Sequence, residues 1–254
     1  MIRKYGWKKQ KLDHRDESYR WTLPPAPLAS HIDLRPQGPT FPVQGQLGSC
    51  TGHGIAYALF FEMMRQNFLN PFLPSRLLIY FMERVIEGTV SLDAGAEIRD
   101  GIKAVAAQGC TPEQDWPYYI SRFADTPPDQ AFMNARTWLA LMNKKIVYQP
   151  VTQDLNHLKS VMASGWPVVF GFNVFESFES DAVAQTGIVP MPGPNDAPAG
   201  GHCEAMAGYD DPTERFICAN WWGEDWGDKG SNYLPYEYVT DPNLASDFWV
   251  IKMV

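Results

Sequence analysis

Three segments set a reactive or polar side chain among glycines: Gln44-Gly45-Gln46-Leu47-Gly48-Ser49-Cys50, Gly200-Gly201-His202-Cys203, and Asn220-Trp221-Trp222-Gly223-Glu224-Asp225-Trp226-Gly227. A cysteine in the first turn of a helix has its thiolate stabilised by the helix dipole and by free backbone N–H groups, and a neighbouring imidazolium lowers its pKa further. Such a sulfur is a nucleophile at neutral pH. His202 opens an apolar stretch (Ala205, Met206, Ala207) that reads as a strand, which would hold the ring rigidly enough to serve as general base and then acid. Asn220 ends the next strand after a turn at Asp210-Asp211-Pro212. A hairpin would therefore set its amide oxygen beside His202 and fix the imidazole tautomer. Cys50-x-x-His53 is half of a metal site at most, because no second pair completes tetrahedral coordination, so His53 reads as helix packing.

The elements that must position these groups follow from periodicity and punctuation. Ile55, Leu59 and Met63, with Ala58 and Phe61 beside them, recur at helical spacing from Cys50 to about Asn67. Ser75 caps a second helix (Leu77, Leu78, Phe81, Met82, Val85) ending near Gly88; Asp93 precedes a third (Ile98, Ile102, Val105) ending at Gly109. Residues 129–143 and 154–164 make two more. Apolar runs then predict strands at 145–151, 166–172, 203–209, 215–219, 231–234 and 248–253, and the four prolines between Gly187 and Gly201 predict an irregular loop. Helices first and strands second implies an α+β fold of two subdomains.

The 254 residues are 45% hydrophobic and 20% charged, a globular composition large enough for a sizeable core. The net charge of −8 argues against nucleic acid or an anionic membrane as the partner. Its distribution is uneven: residues 1–20 hold seven Lys/Arg against Asp13, Asp16 and Glu17, leaving −12 on the remainder. This basic leader reads either as a solvated tail or as a segment that docks on the acidic body near the groove and limits substrate access. The Pro- and Gly-rich stretch 20–48 reads as an extended strap. No secretory signal is visible after the basic start, so a cytoplasmic location is the default, with signal-independent export as the alternative. Four cysteines are too few for a disulfide scaffold, and Cys203 and Cys218, on the two arms of the same hairpin, read as free thiols.

Taken together, Gln44, Cys50, His202, Asn220-Trp221-Trp222-Gly223, the tail Trp222-Gly-x-x-Trp226-Gly-x-x-Gly230 and Gly208-Tyr209 resemble the papain-like cysteine peptidases from about Ile32 to Val254. His202 and Asn220 follow Cys50 by 152 and 170 residues, a longer separation than that family's usual one, which the proline loop accommodates. The resemblance implies a helical subdomain (32–144) opened by the Cys50 helix, after a leader and strap (1–31), and a β-barrel-like subdomain (145–254) bearing His202 and Asn220. The active site would lie in the cleft between them. It implies Cys50 as nucleophile, His202 as base and acid, Asn220 as orienter, and Gln44 with the Cys50 N–H as oxyanion donors. Trp222 would shield the His–Asn pair, and Gly95, Ala96, Gly201 and Trp222 would line the substrate groove. Leu47 stands where many members carry a disulfide cysteine and Thr51 departs from the usual residue after the nucleophile, which points to a bacterial-type, disulfide-free branch. The implied reaction is hydrolysis of a peptide or protein through a thioester, with no metal or organic cofactor. Resolution of that thioester by an amine, as in a transglutaminase-like acyltransferase, and a catalytically silent peptide-binding homologue are the alternatives.

Overall fold

The computed structural model describes residues 3–14, 16, 28–40 and 42–254. Parts of the leader and strap readings, at residues 1, 2, 15, 17–27 and 41, lie outside the described residues.

The chain runs β1 (His31–Asp33), α1 (Cys50–Arg65), α2 (Arg76–Glu87), α3 (Ile98–Gln108), α4 (Asp129–Leu141), β2 (Ile146–Pro150), α5 (Leu155–Ala163), β3 (Val168–Phe175), α6 (Asp181–Thr186), β4 (Pro198–Asp210), β5 (Arg215–Ala219), β6 (Ser231–Pro235), α7 (Tyr236–Thr240) and β7 (Ala245–Met253). Helix ends follow the local chemistry. The Ser75 hydroxyl accepts from the Leu78 N–H to start α2, and Gly88 closes it at φ 70°, where a Cβ would be strained. Asp154 caps α5 in the same manner through the His157 N–H.

All strand pairings named here are antiparallel, in the order β2-β7-β3-β4-β5-β6. β1 pairs with the last residues of β4, on the edge that β3 leaves after Met206. One expectation is corrected here. The proline loop ends at Pro198 rather than Gly201, because Gly200, Gly201 and His202 pair with Val174, Asn173 and Phe172 of β3 and extend β4 by five residues. Asp93 precedes α3 as expected, and Glu97 stands at its N-cap. The short β1, α6 and α7 carry too little periodicity to be read from sequence.

α1 is buried on nearly every face, packed on β3, β4 and β7 on one side and on α2 and α3 on the other. Two glycines make that approach close enough. A Cβ at Gly52 would stand 2.8 Å from the Arg76 carbonyl oxygen, and one at Gly54 would stand 3.0 Å from Cys203 Sγ. Each glycine costs the helix about 1 kcal/mol in propensity, and the gain is a helix N-terminus seated directly against the strand that carries His202.

Candidate active site

Cys50 is the first residue of α1 and has no exposed surface. Backbone groups of Cys203, Gly6 and Thr51 hydrogen-bond its sulfur, so the residue after His202 touches the thiol directly. His202 sits on β4, also fully buried. The β4–β5 hairpin pairs Ala205 with Ala219, which puts Asn220 beside the imidazole: His202 Nε2 lies 2.9 Å from Asn220 Oδ1. That oxygen also accepts the Trp221 N–H at 2.7 Å, which fixes the carboxamide. Nε2 is thus the protonated nitrogen, and Nδ1, with no hydrogen-bond partner, keeps its lone pair. Trp222 stacks on the ring, with centroids 5.1 Å apart.

Burial dominates the electrostatics. It pushes the Cys50 thiol up to about 12, and it pushes His202 down to about 4 against the opposing hydrogen bond to Asn220. In this closed arrangement both groups are neutral. His53 is held neutral too, by burial and by the Arg76 guanidinium, which stands 3.0 Å from its Nε2, so it serves as packing and as an acceptor. All four cysteines are free and buried. Among the described residues no group of three or more His, Cys, Asp or Glu side chains is placed to hold a metal.

Gln44 is buried, with its backbone N–H on the Trp221 carbonyl and its side-chain Nε2 donating to the carbonyls of Leu47 (2.6 Å) and Lys4 (3.3 Å). Lys4 belongs to the leader, and the rest of residues 3–8 follows it across the site. Gly6 gives its carbonyl to the Ala96 N–H, and the Trp7 N–H donates to the Gly201 carbonyl. The Lys8 N–H donates to the Ala96 carbonyl. Arg3 lies 3.6 Å from the centre of the Trp222 ring. Gly95, at φ 70°, passes so close to Gly6 that a Cβ there would stand 2.1 Å from the Gly6 oxygen. Every residue expected to line the groove, Gly95, Ala96, Gly201 and Trp222, therefore touches the leader.

Sequence reasoning missed several residues that shape this place. Tyr118 donates its hydroxyl to the Gln44 carbonyl and pairs with the Ser49 hydroxyl, tying down the turn before Cys50. Asp93 accepts from the Gly48 N–H and the Tyr80 hydroxyl and pairs with Lys4 at 2.6 Å. Tyr5 reaches Glu179 and presents its ring to His202. Glu204, two residues after His202, is fully buried with its carboxyl pushed up to about 8, and accepts from Asn232 at 2.7 Å. A charged residue inside an otherwise apolar strand was the only available signal for it.

Comparison with known proteins gives the family and the fold. The model of the papain family cysteine proteases matches residues 94–243, a span that holds His202 and Asn220 and begins after Cys50. An uncharacterized peptidase C1-like protein of Acanthamoeba polyphaga mimivirus is 39% identical over 99% of this chain and 88% of its own length. Xylellain, a cysteine protease from Xylella fastidiosa, superposes with a TM-score of 0.91 at 38% identity, covering 98% of this chain and 96% of its own. Digestive procathepsin L 3 from the Tenebrio molitor larval midgut shares the fold at a TM-score of 0.66 and 16% identity, over 89% of this chain and 71% of that one. The family match and the two relatives spanning nearly the whole chain establish that this protein belongs to the papain family of cysteine proteases.

Proposed function

We infer that the chain hydrolyses peptide bonds through a thioester on Cys50, with His202 as general base and acid and Asn220 as the group that orients it. The observation that carries this reading is the state of the imidazole: Nε2 is locked on Asn220, Nδ1 is open, and the neighbouring Cys203 N–H is already on the sulfur. Nδ1 takes the thiol proton as sulfur attacks the carbonyl carbon. The oxygen that becomes negative is met by the Gln44 amide and the Cys50 N–H, donors whose individual loss typically costs about 10²- to 10³-fold in rate. Collapse breaks the C–N bond while His202 returns its proton to the leaving amine. Water then attacks the thioester with His202 again as base, releasing the carboxylic acid.

The leader supports a second part of the same reading, that residues 3–8 limit access until they are displaced. They engage the amide proposed for the oxyanion, the thiol and both groove walls at once. The group they offer the sulfur is the Gly6 N–H rather than a carbonyl carbon, so the docked leader is not itself poised for cleavage at that contact.

The test is turnover of a peptide substrate by wild type and Cys50→Ala, with products analysed in the presence and absence of an added amine. Release of free acid that Cys50→Ala abolishes supports hydrolysis; amide as the main product converts the reading to acyl transfer. An epoxysuccinyl probe that leaves Cys50 unlabelled at about pH 6, with no turnover, both in wild type and in Gly6→Val, whose leader cannot hold its docked path, overturns it in favour of a silent peptide binder.

A further inference from the structure

β4 carries a second titratable side chain beside the imidazole. His202 and Glu204 are two positions apart on that strand and so project from the same face. Both are fully buried, and Glu204 Oε1 lies 3.8 Å from His202 Nε2. At that distance the carboxyl does not compete for the ring N–H, which Asn220 holds at 2.9 Å. Its place is fixed from two strands away, where the Asn232 amide of β6 reaches across β5 and donates to Oε1 at 2.7 Å. Among the described residues the other oxygen, Oε2, has no hydrogen-bond partner, and neither has Asn220 Nδ2.

An apolar side chain would fill this position with no desolvation cost, as Ala205, Met206 and Ala207 do further along β4. A buried carboxylate with so few donors is costly unless an opposite charge stands beside it. The titratable groups that face Glu204 are Tyr5 of the leader, Cys203 next to it on β4, Cys218 on β5, Tyr238 on α7, and His202. Of these only His202 can turn positive. Besides Cys50, whose proton it takes in the proposed reaction, the imidazole is faced by His53 from α1 and by Arg3 and Tyr5 from the leader. While the leader is docked, Arg3 opposes a charge on His202, and burial keeps the ring and the carboxyl neutral. Displacing the leader removes Arg3, and the ring becomes an imidazolium when the thiol proton arrives at Nδ1. A positive charge then stands 3.8 Å from the carboxyl. The carboxyl O–H bond breaks, its proton goes to water, and the carboxylate left behind favours the imidazolium in return. Asn220 orients the ring but has no charge to give it.

Resting on the reading of Cys50 as nucleophile and His202 as its base, we propose that Glu204 is a positioning residue for the reaction, a carboxylate that Asn232 holds on the Nε2 side of His202 and that stabilises the imidazolium through which each proton passes. The test uses the Gly6→Val chain, whose leader cannot hold its docked path, and follows kcat/KM for a cleaved peptide across pH. The upper edge of that profile marks loss of the imidazolium proton that the leaving amine needs. Glu204→Gln, which keeps an oxygen for Asn232 but no charge, is expected to move this edge down by about one pH unit and to lower kcat/KM at the optimum about tenfold, with KM within about twofold. Glu204→Asp, which keeps the charge but draws it back, is expected to move the edge about half as far, and it decides alone where Glu204→Gln does not fold. An edge that stays in place overturns the proposal even where the rate falls, because damaged packing changes the height of the profile and not the position of its edge. A second measurement needs no turnover: imidazole carbon-13 NMR of His202 in the Gly6→Val/Cys50→Ala chain, with and without Glu204→Gln. The ring is expected to titrate about one pH unit or more lower once Glu204 is replaced, and coincident curves overturn the assignment. That same gap with no peptide cleaved by the Gly6→Val chain would instead fail the peptidase reading beneath it.

Discussion

At the scale of single residues the site is a set of hydrogen bonds each with one job. Asn220 Oδ1 receives both the His202 ring and the Trp221 N–H, so the carboxamide cannot turn without losing a buried bond. Asn220→Ala is expected to lower kcat about 10²-fold, the size of one positioned proton-transfer group, with a smaller change in KM. Loss confined to KM would show that Asn220 contributes to binding instead. This part of the site was legible before any coordinates: a turn at Asp210-Asp211-Pro212 followed by a five-residue apolar run forces a hairpin, and a hairpin of that length delivers position 220 to position 202. The contact of Trp7 with Asp247, 240 positions away, was not legible, because no local pattern in either segment announces it.

Among the elements, helix boundaries written in capping chemistry could be read closely. Ser75, Gly88, Gly109 and Asp154 all end or begin helices where expected. What failed was pairing at long range. Pro198 and the glycines at 200 and 201 look like loop on local grounds and become strand because β3 lies alongside. The leader's charge suggested docking, yet charge alone has no register. Its path is set by close backbone contact: a Cβ on Gly6 would stand 1.8 Å from the Gly48 carbonyl oxygen, part of the rigid turn that leads into α1. Gly6→Val therefore cannot keep the docked path. If the leader limits access, this variant should raise both peptide turnover and Cys50 alkylation at about pH 6 by roughly tenfold, because water readmitted to the site removes the burial that holds the thiol and imidazole neutral. Unchanged rates with intact stability would mean that the leader covers the groove without controlling it.

For the whole molecule, the buried titratable groups set how stability varies with pH. His202 and His53 have folded pKa values below the ordinary imidazole value, so the folded state binds fewer protons there and stability rises with pH, an effect mostly expressed by about pH 6.5 and complete about one pH unit higher. Glu204 and Glu83 act in the opposite sense, since burial raises both carboxyls and the folded state keeps protons that the unfolded chain has released. Their contribution is full below the ordinary carboxyl range and is lost as pH climbs toward the folded value, about 8 for Glu204. Lys252, lowered to about 8, and Cys50, raised to about 12, change their contributions only at higher pH. In the interval from pH 6.5 to 8 the two carboxyls therefore dominate. Over those pH units Glu204 alone accounts for up to about 2 kcal/mol, or roughly 4–8 °C in Tm for a chain of this size. Thermal unfolding should show wild type losing that much between pH 6.5 and 8, and Glu204→Gln, which keeps an oxygen for Asn232 but cannot ionise, losing distinctly less. A wild-type Tm that is flat across the interval, or an equal drop in the variant, would mean that Glu204 is ionised in the folded protein and that its carboxylate stands charged 3.8 Å from the His202 ring.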